Sequence, residues 1–244
     1  MSPPGRPKGE YRSAPREGAQ VTATRPPIRA VLFDLDGTLI DSAPDLAGAG
    51  NDMRVARGLA ALPMEDFRPM VGSGARGMVR IALNVGPDEA PFLALRDEFL
   101  TRYEGRMTRE TRVFPAIEPV LDAFRERLLP WAIVTNKATR FSEPLVRALG
   151  LHEYARTLVC GDTTPHSKPH PAPLLEAAQR IGVPPAECVY VGDDLRDVQA
   201  GRAAGMLTIA VAWGYLGQGE PIDQWGADHV IDAPHQLLNL LGLA

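Results

Sequence analysis

Short apolar runs recur along the chain from Ile28 onward: AVLF (30–33), WAIVT (131–135), TLVC (157–160), CVYVG (188–192), TIAVAW (208–213) and HVI (229–231). They are rich in β-branched and aromatic residues and hardly broken by polar positions, which is the pattern of strands covered on both faces. Between several of them the apolar positions fall at helical spacing, as in EPVLDAFRERL (118–128), RFSEPLVRALG (140–150) and HPAPLLEAAQRIG (170–182). The last of these opens on prolines, and Gly150 and Gly182 provide stops. Strands alternating with helix-length segments predict an α/β fold built on a mainly parallel, Rossmann-like sheet.

The interval 45–111 departs from that alternation. It carries helical periodicity, as in APFLALRDEFLTRY (90–103), without a strand-like run. The pattern therefore predicts a helical cap (45–111) inserted after the first strand, with a catalytic α/β core formed by 28–44 and 112–244. Residues 1–27 hold Pro, Gly and Arg but almost no large aliphatic side chains, so a disordered tail is expected there. They also lack the apolar stretch of a signal peptide.

Composition narrows the function classes. The 244 residues are 45% hydrophobic and 23% charged, enough for a substantial core. A formal net charge of −4 supplies no broad basic field, so nucleic acid is not an expected partner. No run reaches the length of a membrane span, and no membrane association is expected. Cys160 and Cys188 lie in strand-like contexts and read as reduced thiols, which points to the cytoplasm.

The candidate chemistry sits where strands end. VLF runs into Asp34, with Asp36 two positions on and sharing a face with it while the chain stays extended. Two neighbouring carboxylates repel unless a positive charge lies between them, so the pair calls for a cation. AIV runs into Thr135 and Asn136, and VYVG into Asp193 and Asp194. In open parallel sheets ligands bind beyond such carboxyl ends, so three polar strand ends form one site. Mg²⁺ suits a few carboxylate and carbonyl oxygens completed by water and phosphate. Of the acids in GDDLRD, one is expected to serve merely as a helix cap.

DLDGT (34–38), TN (135–136), Lys168 before proline and GDDLRD (192–197) follow one another in an order similar to that of the haloacid dehalogenase superfamily. The resemblance covers roughly 28–240 and is to the phosphatases of that superfamily. It implies Asp34 as nucleophile and Asp36 as general acid and base. It also implies that Thr135 and Asn136 bind phosphoryl oxygens and that Lys168 neutralises charge. Asp34, the main-chain carbonyl of Asp36, Asp193 and, through water, Asp197 would hold Mg²⁺. Asp194 stands where relatives carry Ser or Thr. Thr38 and Gly74 join the expected substrate contacts.

VGSGARGMV (71–79) contains G-x-G-x-x-G, but it follows a helical pattern instead of a strand, which argues against a dinucleotide site. Phosphoglycolate phosphatases carry a similar Gly-rich loop, and Arg76 would then clamp a substrate carboxylate. His166 and His170 have the spacing of a helical zinc pair, yet Pro165, Pro169 and Pro171 oppose a helix there and no further ligand cluster accompanies them.

The implied function is Mg²⁺-dependent hydrolysis of a small phosphomonoester through an aspartyl-phosphate, with 2-phosphoglycolate the first candidate. TNKATRFSEPLV, AWGYL and WGAD also resemble the N-acetylmuramic acid 6-phosphate phosphatase branch. A sugar phosphomutase and a non-catalytic phosphate-binding regulator are further alternatives. A monomer or homodimer is expected.

Overall fold

The computed structural model describes residues 26–243; the tail expected over the first 27 residues falls almost wholly outside them. Eight strands and nine α-helices follow in chain order: β1 (Ala30–Phe33), β2 (Ile40–Asp41), α1 (Ala43–Val55), α2 (Met64–Phe67), α3 (Gly74–Leu83), α4 (Phe92–Glu104), β3 (Arg112–Val113), α5 (Glu118–Glu126), β4 (Trp131–Val134), α6 (Thr139–Ala148), β5 (Leu158–Val159), α7 (Ala172–Ile181), β6 (Cys188–Gly192), α8 (Leu195–Ala203), β7 (Leu207–Val211), β8 (His229–Ile231) and α9 (His235–Leu240). All six strand-like runs of the sequence are strands.

Six of the strands form one parallel sheet in the order β5-β4-β1-β6-β7-β8. Every residue of β1, β4 and β6 is buried, which explains their unbroken apolar sequence. Alternate residues of β1 serve opposite faces. Val31 and Phe33 pack with Val120 and Phe124 of α5 and Leu237 of α9. Ala30 and Leu32 pack with Leu174 of α7 and Ala200 of α8. Burying a Phe or Leu stabilises by roughly 1.5–3 kcal/mol, so these two layers make the sheet the rigid part of the fold.

Helices α1 to α4 form a second hydrophobic cluster, with Met53, Phe67, Met78, Phe92 and Phe99 inside it. The chain enters this helical segment past β2 and leaves it through β3. Those two strands pair antiparallel, Ile40 with Val113 and Asp41 with Arg112. Beside them the buried Asp45 of α1 accepts from the main-chain N–H of Glu110 and Thr111 and from the Thr111 hydroxyl, at 2.8–3.0 Å. The arriving and departing chain are thereby joined.

Candidate active site

Strands β4, β1 and β6 are neighbours in the sheet, so the residues that follow them emerge side by side: Thr135, Asp34 and Asp193. The ladder continues one step past β1, where the Asp34 N–H donates to Val191 O at 2.9 Å. The chain then turns through Gly37 at φ +84°, a left-handed conformation in which a Cβ would also run into the Asp193 carboxylate. Glycine there lets the first loop lie directly against the third.

Asp34, Asp193 and Asp197 are buried and present carboxylate oxygens within 4.8 Å of one another. Thr38 Oγ1 donates to Asp193 Oδ1 at 2.9 Å, and the Tyr215 N–H donates to Asp193 Oδ2 at 2.7 Å. Asp197 lies in the first turn of α8, where its Oδ2 accepts from the Asp194 N–H at 3.0 Å. Lys168 Nζ stands 2.7 Å from Asp197 Oδ1, 2.8 Å from Asp34 Oδ1 and 2.8 Å from the Tyr190 hydroxyl. Burial pushes the Asp34 carboxyl up to about 7; Lys168 opposes the shift, while Asp197 and Asp36 add to it. Burial, then the charges of Asp34 and Asp197, hold Asp193 well above the usual carboxylate range. For the Lys168 ammonium, Asp197 and Asp34 outweigh the effect of burial and hold it charged.

One lysine faces three buried carboxyl groups, and the raised proton affinity of Asp34 and Asp193 reflects burial together with a shortage of positive charge beside their hard oxygen atoms. That donor set fits a small divalent cation such as Mg²⁺ and offers no soft ligand.

Asp36 faces a second lysine. Lys137 Nζ lies 2.8 and 3.0 Å from its two carboxylate oxygens, and the Ser42 hydroxyl donates to the same group. Lys137 also sits 5.0 Å from the centre of the Tyr103 ring on α4. Burial opposes the charged form of Lys137, but Asp36 outweighs it. Sequence reasoning stopped at Asn136 and missed Lys137, the next residue of the same strand-end motif. Tyr190 and Tyr215 were not expected either: Tyr190 lies inside an apolar strand run, and Tyr215 sits in a glycine-rich stretch after β7.

A cavity of about 310 Å³ opens over this group, and Asp34, Asp36, Gly74, Thr135, Asn136, Lys168, Asp193 and Asp197 all line it. Asn136 does more than line it. Its side chain donates to Lys168 O and accepts from the Lys168 N–H, both at 2.9 Å, which fixes the loop that delivers the lysine. Two of the expected contacts lie outside the lining. Thr38 does not line the cavity; it is buried behind Asp193, with its hydroxyl committed to that carboxylate. Arg76 does not line it either. It is exposed on α3, one helical turn before the exposed Arg80, while Gly77, Met78 and Val79 turn inward.

Asp194 proves to be the cap among the acids: its Oδ1 accepts from the Arg196 N–H at 2.9 Å in a capping box with Asp197. Its carboxylate also binds the Arg196 side chain at 2.7 and 2.8 Å, and that guanidinium donates to Gly72 O in the helical segment at 2.5 Å.

The model of the haloacid dehalogenase-like hydrolases matches residues 28–205, a span holding every residue of the acidic cluster together with both lysines. The chain belongs to this hydrolase family. Among haloacid dehalogenase-like relatives, the N-acetylmuramic acid 6-phosphate phosphatase of Pseudomonas aeruginosa is 42% identical over 217 residues, covering 89% of this chain and 96% of the relative. The phosphoglycolate phosphatase of Xanthomonas campestris is 45% identical over 210 residues, covering 86% of this chain and 94% of its own length. The crystal structure of a predicted phosphoglycolate phosphatase from Haemophilus somnus aligns with a TM-score of 0.76 at 27% identity, over 87% of this chain and 97% of that one. Among the described residues no helix is long and apolar enough to cross a membrane.

Proposed function

We propose that this chain hydrolyses a phosphomonoester by covalent catalysis, with Asp34 as the nucleophile. The observation that carries the proposal is the placement of Asp34: just past the carboxyl end of a central strand, lining the cavity, beside Lys168 and close to two further carboxylates. A buried carboxylate so placed has the geometry for in-line attack on phosphorus.

In the first step an Asp34 oxygen bonds to phosphorus and the bond from phosphorus to the alcohol oxygen breaks. Asp36 gives the leaving oxygen its proton. In the second step Asp36 takes a proton from water, whose oxygen attacks phosphorus and releases Asp34 and inorganic phosphate. Lys137 and Ser42 hold the Asp36 carboxyl in place for both transfers. The Thr135 hydroxyl accepts from the Lys137 N–H at 3.2 Å, which turns its own proton toward a phosphoryl oxygen. The Asn136 N–H is a second donor. Asp34, Asp193, Asp197 and the Asp36 main-chain carbonyl would hold Mg²⁺, which supplies positive charge to the phosphoryl oxygens.

The relatives point to two substrates, 2-phosphoglycolate and N-acetylmuramic acid 6-phosphate. Arg76, the expected carboxylate clamp, is exposed and does not line the cavity, and because both esters carry a carboxylate its position does not separate them. A cytoplasmic protein fits the two unbridged buried cysteines.

Phosphate release from p-nitrophenyl phosphate and from both named esters, with and without Mg²⁺, tests the reading. Asp34→Asn should retain the fold and lose at least about a thousandfold in kcat. A folded Asp34→Asn protein that still turns over would remove Asp34 as nucleophile. Transfer of phosphate to a sugar without net release would indicate a mutase.

A further inference from the structure

The cavity has two unlike walls. The helical segment contributes Leu46, Val71, Ala75, Phe99 and Leu100 as its larger lining side chains besides Tyr103, and α6 adds Phe141. No charged side chain from residues 43–104 lines the space. The opposite wall carries the cations, and each is already matched: Lys137 with Asp36, Lys168 with Asp34 and Asp197, Arg196 with Asp194. Phosphate and metal are served by that wall. The alcohol half of the ester must therefore meet the apolar one.

A short alcohol such as glycolate has almost no apolar surface to set against this wall. Its two carbons would also leave most of the 310 Å³ unfilled, a volume at the lower end of the roughly 300–1,000 Å³ typical of pockets for much larger ligands. Resting on the phosphomonoesterase reading, we infer that the apolar wall selects esters of hexose-sized or larger alcohols that bear alkyl or acyl groups, and that Leu100 and Phe99 are the specificity-determining contacts. Phe99 is buried within the helical cluster, whereas Leu100 is only half-buried and lies at the cavity surface, so it is the position to alter.

Binding to the Asp34→Asn protein in Mg²⁺, followed by calorimetry, separates this inference from the catalytic one because it needs no turnover. The two probes are 2-phosphoglycolate and N-acetylmuramic acid 6-phosphate. Each carries one phosphate and one carboxylate, so their difference reads size and apolar surface. The sugar ester should bind at least tenfold more tightly. Leu100→Arg on the same background, which puts a cation into the apolar wall, should narrow that ratio at least tenfold by favouring 2-phosphoglycolate. Leu100→Gln serves if circular dichroism shows the arginine variant misfolded, and should narrow the ratio in the same direction. Equal or tighter binding of 2-phosphoglycolate, or a ratio indifferent to the change at Leu100, overturns the inference even if the wild-type protein is an active phosphatase. The expected ratio in the Asp34→Asn protein, together with no phosphate release by the wild-type protein, would instead overturn the catalytic reading alone.

Discussion

The Tyr215 N–H donates to Asp193 Oδ2 at 2.7 Å, so this buried carboxylate of the acidic cluster is fixed by the main chain of a residue whose side chain works elsewhere. The Tyr215 hydroxyl accepts from the N–H groups of Ser42 and Ala43 at 2.8 and 3.1 Å and donates to Asp41 Oδ1 at 3.0 Å. One residue thus braces both the cluster and the start of α1.

Tyr215→Phe separates these two duties. The main-chain bond to Asp193 survives, while two buried N–H groups lose their acceptor at a cost of about 1–3 kcal/mol each if nothing replaces it. Denaturant unfolding should show a loss in that range, and Mg²⁺ affinity measured by calorimetry should change less than threefold. A large loss of Mg²⁺ affinity with unchanged stability would reverse this assignment.

Lys168→Met should be the most damaging single change near the cluster. It leaves Asp34 and Asp197 without their buried cation, and breaking such a pair costs about 3–5 kcal/mol. Unfolding in EDTA at pH 8 should show that loss, with part of it recovered in Mg²⁺. Activity should fall as well; equal stability of the two proteins in EDTA would make Lys168 dispensable for holding the cluster together.

Lys137→Met acts on Asp36 instead. Since Asp36 is the proposed proton donor and acceptor, kcat should drop by roughly tenfold to a hundredfold while KM moves little. A change confined to KM would show that Lys137 binds substrate and does not orient Asp36.

The metal-free protein should lose stability as pH rises from about 4.5 to 7. Asp34 is pushed up to about 7 from 3.8 by burial, and Asp193 is raised in the same direction, so the folded state keeps protons that the unfolded chain has released. With more protons bound in the folded state, unfolding free energy falls as pH increases across that window. Carboxyls shifted the other way, such as Glu98 under its hydrogen bonds from Arg57, titrate below it. Melting temperatures in EDTA should therefore decline over the window, with a smaller slope in Asp34→Asn and little slope in saturating Mg²⁺. An identical slope in wild type and variant would detach the effect from Asp34.

The core strands were legible because a strand buried on both faces must be apolar throughout, and AVLF, WAIV and CVYV leave few other readings. The strands β2 and β3, with two residues each, carry no period and were not legible. Asp34, Asp193 and Lys168 were found because their motifs end strands or precede proline in a fixed order. Lys137 escaped because a lysine looks the same in sequence whether it is solvated or paired with a buried carboxylate. Arg76 misled because its glycine neighbours suggested a loop, although the four-residue spacing to Arg80 already marked an outward helical face. Thr38, expected as a substrate contact, gives its hydroxyl to Asp193, a partner that nothing in the sequence singles out.

The pairing of Ile40 with Val113 and Asp41 with Arg112 means that both covalent crossings between helices α1 to α4 and the sheet run through a single hydrogen-bonded ribbon. Such a ribbon twists more readily than it slides, since sliding breaks its register. The helical segment is therefore joined to the sheet covalently at one place, and its other attachments are side-chain contacts such as Arg140 with Glu104 and Lys137 over the Tyr103 ring. Arg196 and Gly72 both line the cavity, so the contact between them is a further tie, joining the two sides at the cavity itself.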